Sequence, residues 1–425
     1  MMGAAGAAAI AIVVGTLVLV AIYDRHRVEL AAAGAGLVLV SGLVPLGALP
    51  PTGSSGQGGI LQWNTLALLF GLFVVATLLS VLGFFRWAGS SIARRAHGRP
   101  VPMFLGLVGI AFALSALLDS IVVMLILAAV TLEACRALGR DPIPLVIAEI
   151  SAANLGGAAT LIGDPPNLIL GTYFHLSFSD FLVHTGLPAL AALGVAILLF
   201  SRGREDDPST QVPRPPPAVP LARGPVLVTL SAFGVLLGVL AFQGPLGIPV
   251  WAVGLAMAAL GMGLAGPRYL RLLLGKVDFR TLVFFLFLFL LVGSLETTGV
   301  IDSLAHAVQQ VGPSNLLLTG TLLLWTFGLL SSVVNSVPLA AAAAPLIGRL
   351  SAATGLSASS LVYAVALGND IGGNGTPIGA SANLVGLGVA RESGTPISWR
   401  TFVRRSFPIM LACLATANLV WWFVH

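Results

Sequence analysis

Residues 151–173 read SAANLGGAATLIGDPPNLILGTY. The run is apolar and long enough to cross a bilayer, yet it contains Asn154, the Gly156-Gly157 pair, Asp164 and the Pro165-Pro166 pair. Proline removes a backbone donor and glycine loosens a helix, so this span is expected to unwind at mid-depth. Bare backbone at that depth persists only where it lines a cavity enclosed by protein. The stretch therefore reads as half of a binding site.

The other half appears when the sequence is slid along itself. A gapless shift of 216 residues lays Asn154, Gly156, Gly157, Thr160, Ile162, Gly163, Asn167 and Leu168 on Asp370, Gly372, Gly373, Thr376, Ile378, Gly379, Asn383 and Leu384, all identical except the first pair. The same shift lays Asp119-Ser120 on Asn335-Ser336, Gly83 on Gly299, Thr65 on Thr281 and Gly59 on Gly275. A repeat of this length implies two equivalent halves.

Composition sets the solvent. With 57% hydrophobic and 9% charged residues over 425 positions, most of the chain belongs in lipid, as an all-α polytopic membrane protein. The net charge of +5 does not point to nucleic acid, because the basic residues lie in short segments between apolar runs. Cys135, in a predicted loop, and Cys413, in the last span, give no spacing of a disulfide framework or thiolate metal site. The six histidines, at 26, 97, 175, 184, 306 and 425, fall in predicted loops or at helix ends and read as surface residues. Neither a nucleophile with its base nor a metal cluster is present, so no enzymatic chemistry and no cofactor beyond a coupling H+ or Na+ is expected.

In chain order, spans are expected at about 4–23, 30–49 and 64–85, then a re-entrant hairpin at 101–135 tipped by Asp119-Ser120, the broken span 143–172, and a return at 182–200. A proline-rich polar stretch follows and reads as a cytoplasmic linker, 209–224, between a first repeat at 1–208 and a second at 225–425. The second repeat is expected to hold spans at 225–243, 248–266 and 282–300, a hairpin at 314–348, a broken span at 358–390 and a last span at 403–424.

Charge tests this topology. Five crossings plus a hairpin per half would invert the second repeat. The basic segment around Arg86, Arg94, Arg95 and Arg99 indeed matches DSLAHAVQQVGPS, which has no Lys or Arg, while the neutral loop 50–63 matches GPRYLRLLLGKVDFR. Of the 21 basic residues, 20 fall on one predicted side, with Arg349 the exception. This places both termini outside and the linker in the cytoplasm of a plasma (inner) membrane protein. Inverted repeats with unwound spans facing one another are the build of secondary transporters.

NLGGAATLIGDPPNLIL and GNDIGGNGTPIGASANLVGLGVA, with the tips LLDSIVV and VVNSVPL, resemble the paired motifs of the ion-transporter superfamily. The likeness is strongest to the branch of arsenite permeases, one type of sodium/proton antiporter, the melanosomal P protein and citrate-transporter-like permeases. It covers nearly the whole chain and implies a homodimer in which a fixed scaffold carries mobile transport domains, working as an elevator. The sodium-coupled dicarboxylate members carry Ser-Asn-Thr at both tips. Here the triplets are Leu118-Asp119-Ser120 and Val334-Asn335-Ser336, which departs from that pattern.

The residues themselves suggest proton coupling. Asp and Asn exchange between halves, Asp119 with Asn335 and Asn154 with Asp370, so each half supplies one carboxyl to a shared site. Ionisable groups at this depth are functional by default. Asp119 and Asp370 are the candidate proton or cation carriers. Ser120, Asn154, Thr160, Asn335, Ser336 and Thr376 are candidate substrate contacts, and Gly156, Gly157, Gly372 and Gly373 would allow close backbone approach. Asp164 either joins the site or caps a half-helix, and Asn167 and Asn383 satisfy freed backbone groups. Glu149 and Glu296 read as interhelical partners or proton-path residues.

Apart from Arg404 and Arg405 at the very start of the last one, no Arg or Lys lies in a predicted span to balance these acids, which disfavours a dianion and favours a cation, a proton or a neutral hydroxide. Export of arsenite or antimonite is thus the leading expectation. Sodium/proton antiport, citrate-type anion transport and an ion channel are the alternatives.

Overall fold

The computed structural model describes residues 3–23, 26–49, 60–97, 99–202, 221–311 and 315–425. The loop 50–59 and most of the expected linker, 203–220, lie outside the described residues. The first half runs α1 (Ala4–Ile22), α2 (Arg27–Val40), α3 (Trp63–Val81), α4 (Phe84–Arg95), α5 (Pro100–Ser115), α6 (Ser120–Ala137), α7 (Ile143–Ala158), α8 (Pro165–Tyr173) and α9 (Phe178–Ser201). The second runs α10 (Arg223–Ala241), α11 (Gln243–Leu246), α12 (Val250–Leu274), α13 (Phe279–Thr297), α14 (Val300–Val311), α15 (Leu316–Ser331), α16 (Ser336–Thr354), α17 (Ala358–Gly372), α18 (Ser381–Glu392) and α19 (Trp399–Val424). The 216-residue shift carries α3, α4 and α5 onto α13, α14 and α15 residue for residue.

Eight of these helices are long and apolar enough to cross a membrane. α5 and α6, and α15 and α16, are joined by four-residue turns that end at Asp119 and Asn335. The broken spans are α7–α8 and α17–α18. α7 and α17 are buried on every side along most of their length, as expected of helices that are apolar all round.

Several expected boundaries shift for local reasons. The span expected at 30–49 is a short helix ending at Val40, because Gly42 takes φ +70° and turns the chain before Pro45. The segments expected as loops after α3 and α13 are the helices α4 and α14. Each starts after a glycine at positive φ, Gly83 (+79°) and Gly299 (+74°), and lays an amphipathic face on α6 or α16. Cys135 lies inside α6 and is buried rather than looped. The basic stretch after residue 266 continues α12 beyond a kink at Gly266-Pro267. His184 and His306 sit within α9 and α14, and His184 stacks on Tyr363 at 4.6 Å.

The halves exchange partners. α6 packs on α18 while α16 packs on α8, and α2 packs on α13 while α12 packs on α3. Such swapping is what a two-fold relation between the repeats produces. The hairpins, the broken spans, α9 and α19 form one group of helices, and α1–α3, α10, α12 and α13 flank it.

The hairpins lock onto the broken spans through glycine. A Cβ at Gly156 would strike the Phe112 carbonyl, and one at Gly372 the Gly328 carbonyl, two contacts that the repeat makes equivalent. Gly156→Ala and Gly372→Ala are each expected to cost about 1–3 kcal/mol, read as a lowered melting temperature of the detergent-purified protein. Gly36→Ala, where a Cβ meets open space, should leave it unchanged.

Candidate functional site

A helix interrupted at mid-membrane frees carbonyls that lipid cannot satisfy. Asn167 and Asn383, one turn into the second arm of each broken span, answer this identically. Asn167 Nδ2 donates to the carbonyls of Gly157 (3.0 Å) and Thr160 (3.1 Å), and Asn383 Nδ2 to those of Gly373 (2.7 Å) and Thr376 (2.8 Å). The hydroxyls of the two threonines expected as substrate contacts are bonded to backbone carbonyls. Thr160 Oγ1 donates to the Ala116 carbonyl and Thr376 Oγ1 to the Ser332 carbonyl, which ties each break to a hairpin turn. Gly157 and Gly373 are likewise filled against the opposite side of their own breaks, at Asp164 and Ala380.

With breaks and turns tied together, four helix N-termini converge. Asp119 caps α6, accepting from the Ile121 amide at 2.7 Å, and Asn335 caps α16 through Val337 at 3.1 Å. Asn335 Nδ2 donates to Ser381 Oγ at 3.2 Å, at the start of α18. Asp164 occupies the cap position of α8 but caps nothing. Its carboxylate instead accepts from Ser120 Oγ at 3.2 Å, across the hairpin tip. The Ser336 backbone meets the second break, its N–H donating to the Gly379 carbonyl at 3.3 Å.

The halves also meet side chain to side chain. Asn154 Nδ2 donates to Asn374 Oδ1 and Asn383 Oδ1, both at 2.8 Å. Its counterpart Asp370 lies beside the Asn167 amide, and neither of its oxygens accepts a hydrogen bond among the described residues. Asp164 lies within electrostatic reach of both Asp119 and Asp370, so three buried carboxyls share one neighbourhood. A buried carboxyl without donors takes up a proton or holds a cation.

Glu149 is held elsewhere, accepting from Thr131 Oγ1 at 2.5 Å between α6 and α7. Glu296 lines a separate cavity of about 440 Å³ at the far end of α13, with Gln62, Asn64, Tyr173 and Arg349.

Among the described residues the site opens toward α2. A narrow cavity of about 30 Å³, lined by Asp164, Asn335, Ser336 and Ser381, leads past Ile121 into a wider one of about 420 Å³. Arg27 lines both. Its Nη2 donates to Thr281 Oγ1 at 2.7 Å and lies 3.8 Å from Asp278, with the guanidinium carbon 5.7 Å from the Phe284 ring centre. The expectation that no basic side chain balances the acids is thus corrected. Arg27 looks like a loop charge because it follows the first span, but it begins α2, which packs on α13, and it shares a cavity lining with the hairpin-tip residues Asn335 and Ser336. The available signal was its register. The shift that pairs Thr65 with Thr281 pairs Arg27 with a neutral Gln243.

The model of the citrate transporter family matches residues 9–368 of the chain. The chain belongs to the citrate transporter family. It is a membrane transporter and not an enzyme. An uncharacterised transporter of Mycobacterium tuberculosis is 32% identical over 97% of both chains, and one of Synechocystis is 30% identical over 84% of this chain and 85% of its own. The human P protein is 29% identical over 95% of this chain, which spans 58% of it. Among solved structures the YdaH transporter of Alcanivorax borkumensis matches with a TM-score of 0.57 at 16% identity, covering 90% of this chain and 86% of that one. The MtrF efflux pump of Neisseria gonorrhoeae matches at 0.58 and 14%, over 92% and 84%. These two likenesses carry the transporter's fold alone.

The amide bridges make a sharp test. Asn383→Ala removes the donor to two buried carbonyls and the acceptor of Asn154. It should destabilise the transporter by about 1–3 kcal/mol per orphaned group, measured by thermal unfolding in detergent. Asn64→Ala, at the far cavity, should change stability by less than about 0.5 kcal/mol.

Proposed function

We propose that this transporter couples the movement of a small anion to protons, with Asp119, Asp164 and Asp370 as the proton-carrying groups. The observation that supports it most is the pairing of three buried carboxyls, all with an oxygen or a neighbour wanting positive charge, with one guanidinium at the cavity mouth. Protons on the acids would remove the local negative charge. The helix N-termini of α16 and α18, Ser336, Ser381 and Arg27 then offer donors to an anionic group. Membership of the citrate transporter family agrees with such a cargo.

Export of arsenite or antimonite rested on the absence of a basic residue near the acids, and Arg27 removes that ground. Sodium/proton antiport keeps one observation in its favour. Unpartnered carboxyl oxygens at Asp119 and Asp370 are the hard ligands a bare cation uses. A channel has no need of titratable acids along one closed line.

The inverted orientation of the second repeat, the division into 1–208, linker and 225–425, the homodimer and the elevator motion are parts of the same reading. In it, the hairpins and broken spans form the transport domain and the flanking helices the scaffold. α13 has one cavity at each end, and its 19 residues span about 28 Å. The transport domain would slide along that helix to carry the site from one mouth to the other.

The decisive experiment uses proteoliposomes with a pH-sensitive dye inside and an imposed proton gradient, to which citrate, arsenite or sodium is added. Proton movement with citrate supports the anion reading. Movement with sodium alone makes the protein an antiporter, and movement with arsenite alone restores metalloid export. Asp164→Asn and Asp370→Asn should each lower coupled flux at least tenfold while the melting temperature holds. Asp119→Asn keeps the helix cap, so any loss of coupling there reports the carboxyl itself. Normal coupled flux in all three variants would rule out proton carriage by these groups.

A further inference from the structure

We propose that Arg27 is a one-sided selectivity element, a fixed charge that draws anionic groups into the mouth through which the hairpin-tip cavity opens, whereas the arginine at the opposite mouth, Arg349, is paired with Asp302 and sits with the acid Glu296. The inference rests on the transporter reading above and adds to it which residue selects, and on which face.

Arg27 does not travel with the site. It starts α2, in the flanking group, whereas Asp164, Ser336 and Ser381 belong to the hairpins and broken spans. Its position is fixed from three directions by Thr281, Asp278 and the Phe284 ring. A guanidinium has five N–H donors, and the bond to Thr281 uses a single one. Asp278 offsets part of the charge, but both of its oxygens accept from Thr281, the amide at 3.0 Å and the hydroxyl at 2.5 Å, in capping α13. Arg280, at the rim of the wider cavity, is paired with Glu29 at 2.7 Å. Asp119 and Asp164 are the remaining acids near Arg27, Asp119 within electrostatic reach of it and Asp164 in the same cavity lining, and protons on both leave the guanidinium as the dominant fixed charge. Proton uptake and anion entry are then linked at one place.

The repeat supplies the contrast. At the positions equivalent to Arg27, Asp278 and Arg280 the chain carries Gln243, Gln62 and Asn64. Gln62 and Asn64 line the far cavity, whose charged lining residues are instead Glu296 and Arg349, the latter paired with Asp302 at 3.0 Å, so the two mouths are alike in fold and unlike in charge. Fields of fixed charges in narrow clefts raise the local concentration of an opposite ion about 10- to 1000-fold. A site that moves between the Arg27 mouth and one where the arginine is paired with Asp302 and an acid, Glu296, also lines the cavity binds an anion more tightly on the Arg27 side. It releases it more readily on the other.

The test reads charge selectivity directly and needs no knowledge of the cargo. In a variant with Cys135 and Cys413 replaced by alanine, Ser381→Cys reports the Arg27 mouth and Asn64→Cys the far one. Each is labelled in proteoliposomes with sulfonatoethyl and trimethylammonioethyl methanethiosulfonate, and the rates are normalised to those of a free thiol. The sulfonate reagent should be favoured at Ser381→Cys and not at Asn64→Cys. Arg27→Gln should lower that preference about tenfold, Arg27→Lys should retain most of it, and high salt should collapse it with Arg27 intact. An unchanged ratio in Arg27→Gln, or an equal preference at both mouths, overturns the proposal. Should Arg27→Gln not fold, the salt dependence and the comparison of mouths in the Arg27-intact protein decide alone. Biased labelling without any citrate flux would sink the transport reading and leave the selectivity element standing. Coupled citrate flux with unbiased labelling would do the reverse.

Discussion

The structure depends on satisfying carbonyls where two helices break inside the buried, apolar interior of the protein. Each break exposes backbone that water cannot reach, at a cost of several kcal/mol per unsatisfied group. Asn167 and Asn383 meet that demand with one amide each, bonded to both edges of the break. Thr160 and Thr376 then fasten the breaks to the hairpin turns. Once these bonds are made, the N-termini of α6, α8, α16 and α18 have no freedom to lie elsewhere. The site is a by-product of solving the backbone problem twice.

The same solution fixes where glycine must stand. Gly156 and Gly372 let the hairpin backbone reach the broken span, so the turn arrives at the depth of the break. A side chain there would hold the hairpin away and pull Asp119 from Asp164. Packing and electrostatics are therefore not separate layers here. The three carboxyls share a neighbourhood because backbones touch a turn away.

The broken spans, the hairpins and the repeat were legible because polar, Gly and Pro residues inside an apolar run carry their meaning without any tertiary context. Asn154 and Asp370 could be paired for the same reason. What the sequence hid was direction. Thr160 and Thr376 looked like substrate contacts, but a hydroxyl on a broken span can turn toward solute or toward a neighbouring carbonyl, and its letter does not say which. Asp164 sat at a cap position and looked divided between two roles, until the Ser120 hydroxyl showed that its carboxyl points to the hairpin tip. Arg27 was hidden by its surroundings. Charge counting assigns a basic residue beside a span to the membrane surface, and only the packing of α2 on α13 turns it toward the cavity.

Symmetry explains how such a site can be built, and its violations explain how the site can work in one direction. The repeat preserves what the fold needs, namely the amide bridges, the threonine ties and the glycine contacts. It does not preserve charge. Asp119 faces Asn335, Asn154 faces Asp370, Asp164 has only Ala380 opposite, and Arg27 has Gln243. A perfectly symmetric chain would double every acid and place like charges side by side, with a penalty that grows in low dielectric. Dividing acids and amides between the halves keeps the hydrogen-bonding geometry and removes that repulsion. It also leaves the two mouths with different charges, Arg27 at one and Glu296 with an Asp302-paired Arg349 at the other, so the free-energy profile met by a charged solute differs between the two faces even though the backbone path is the same.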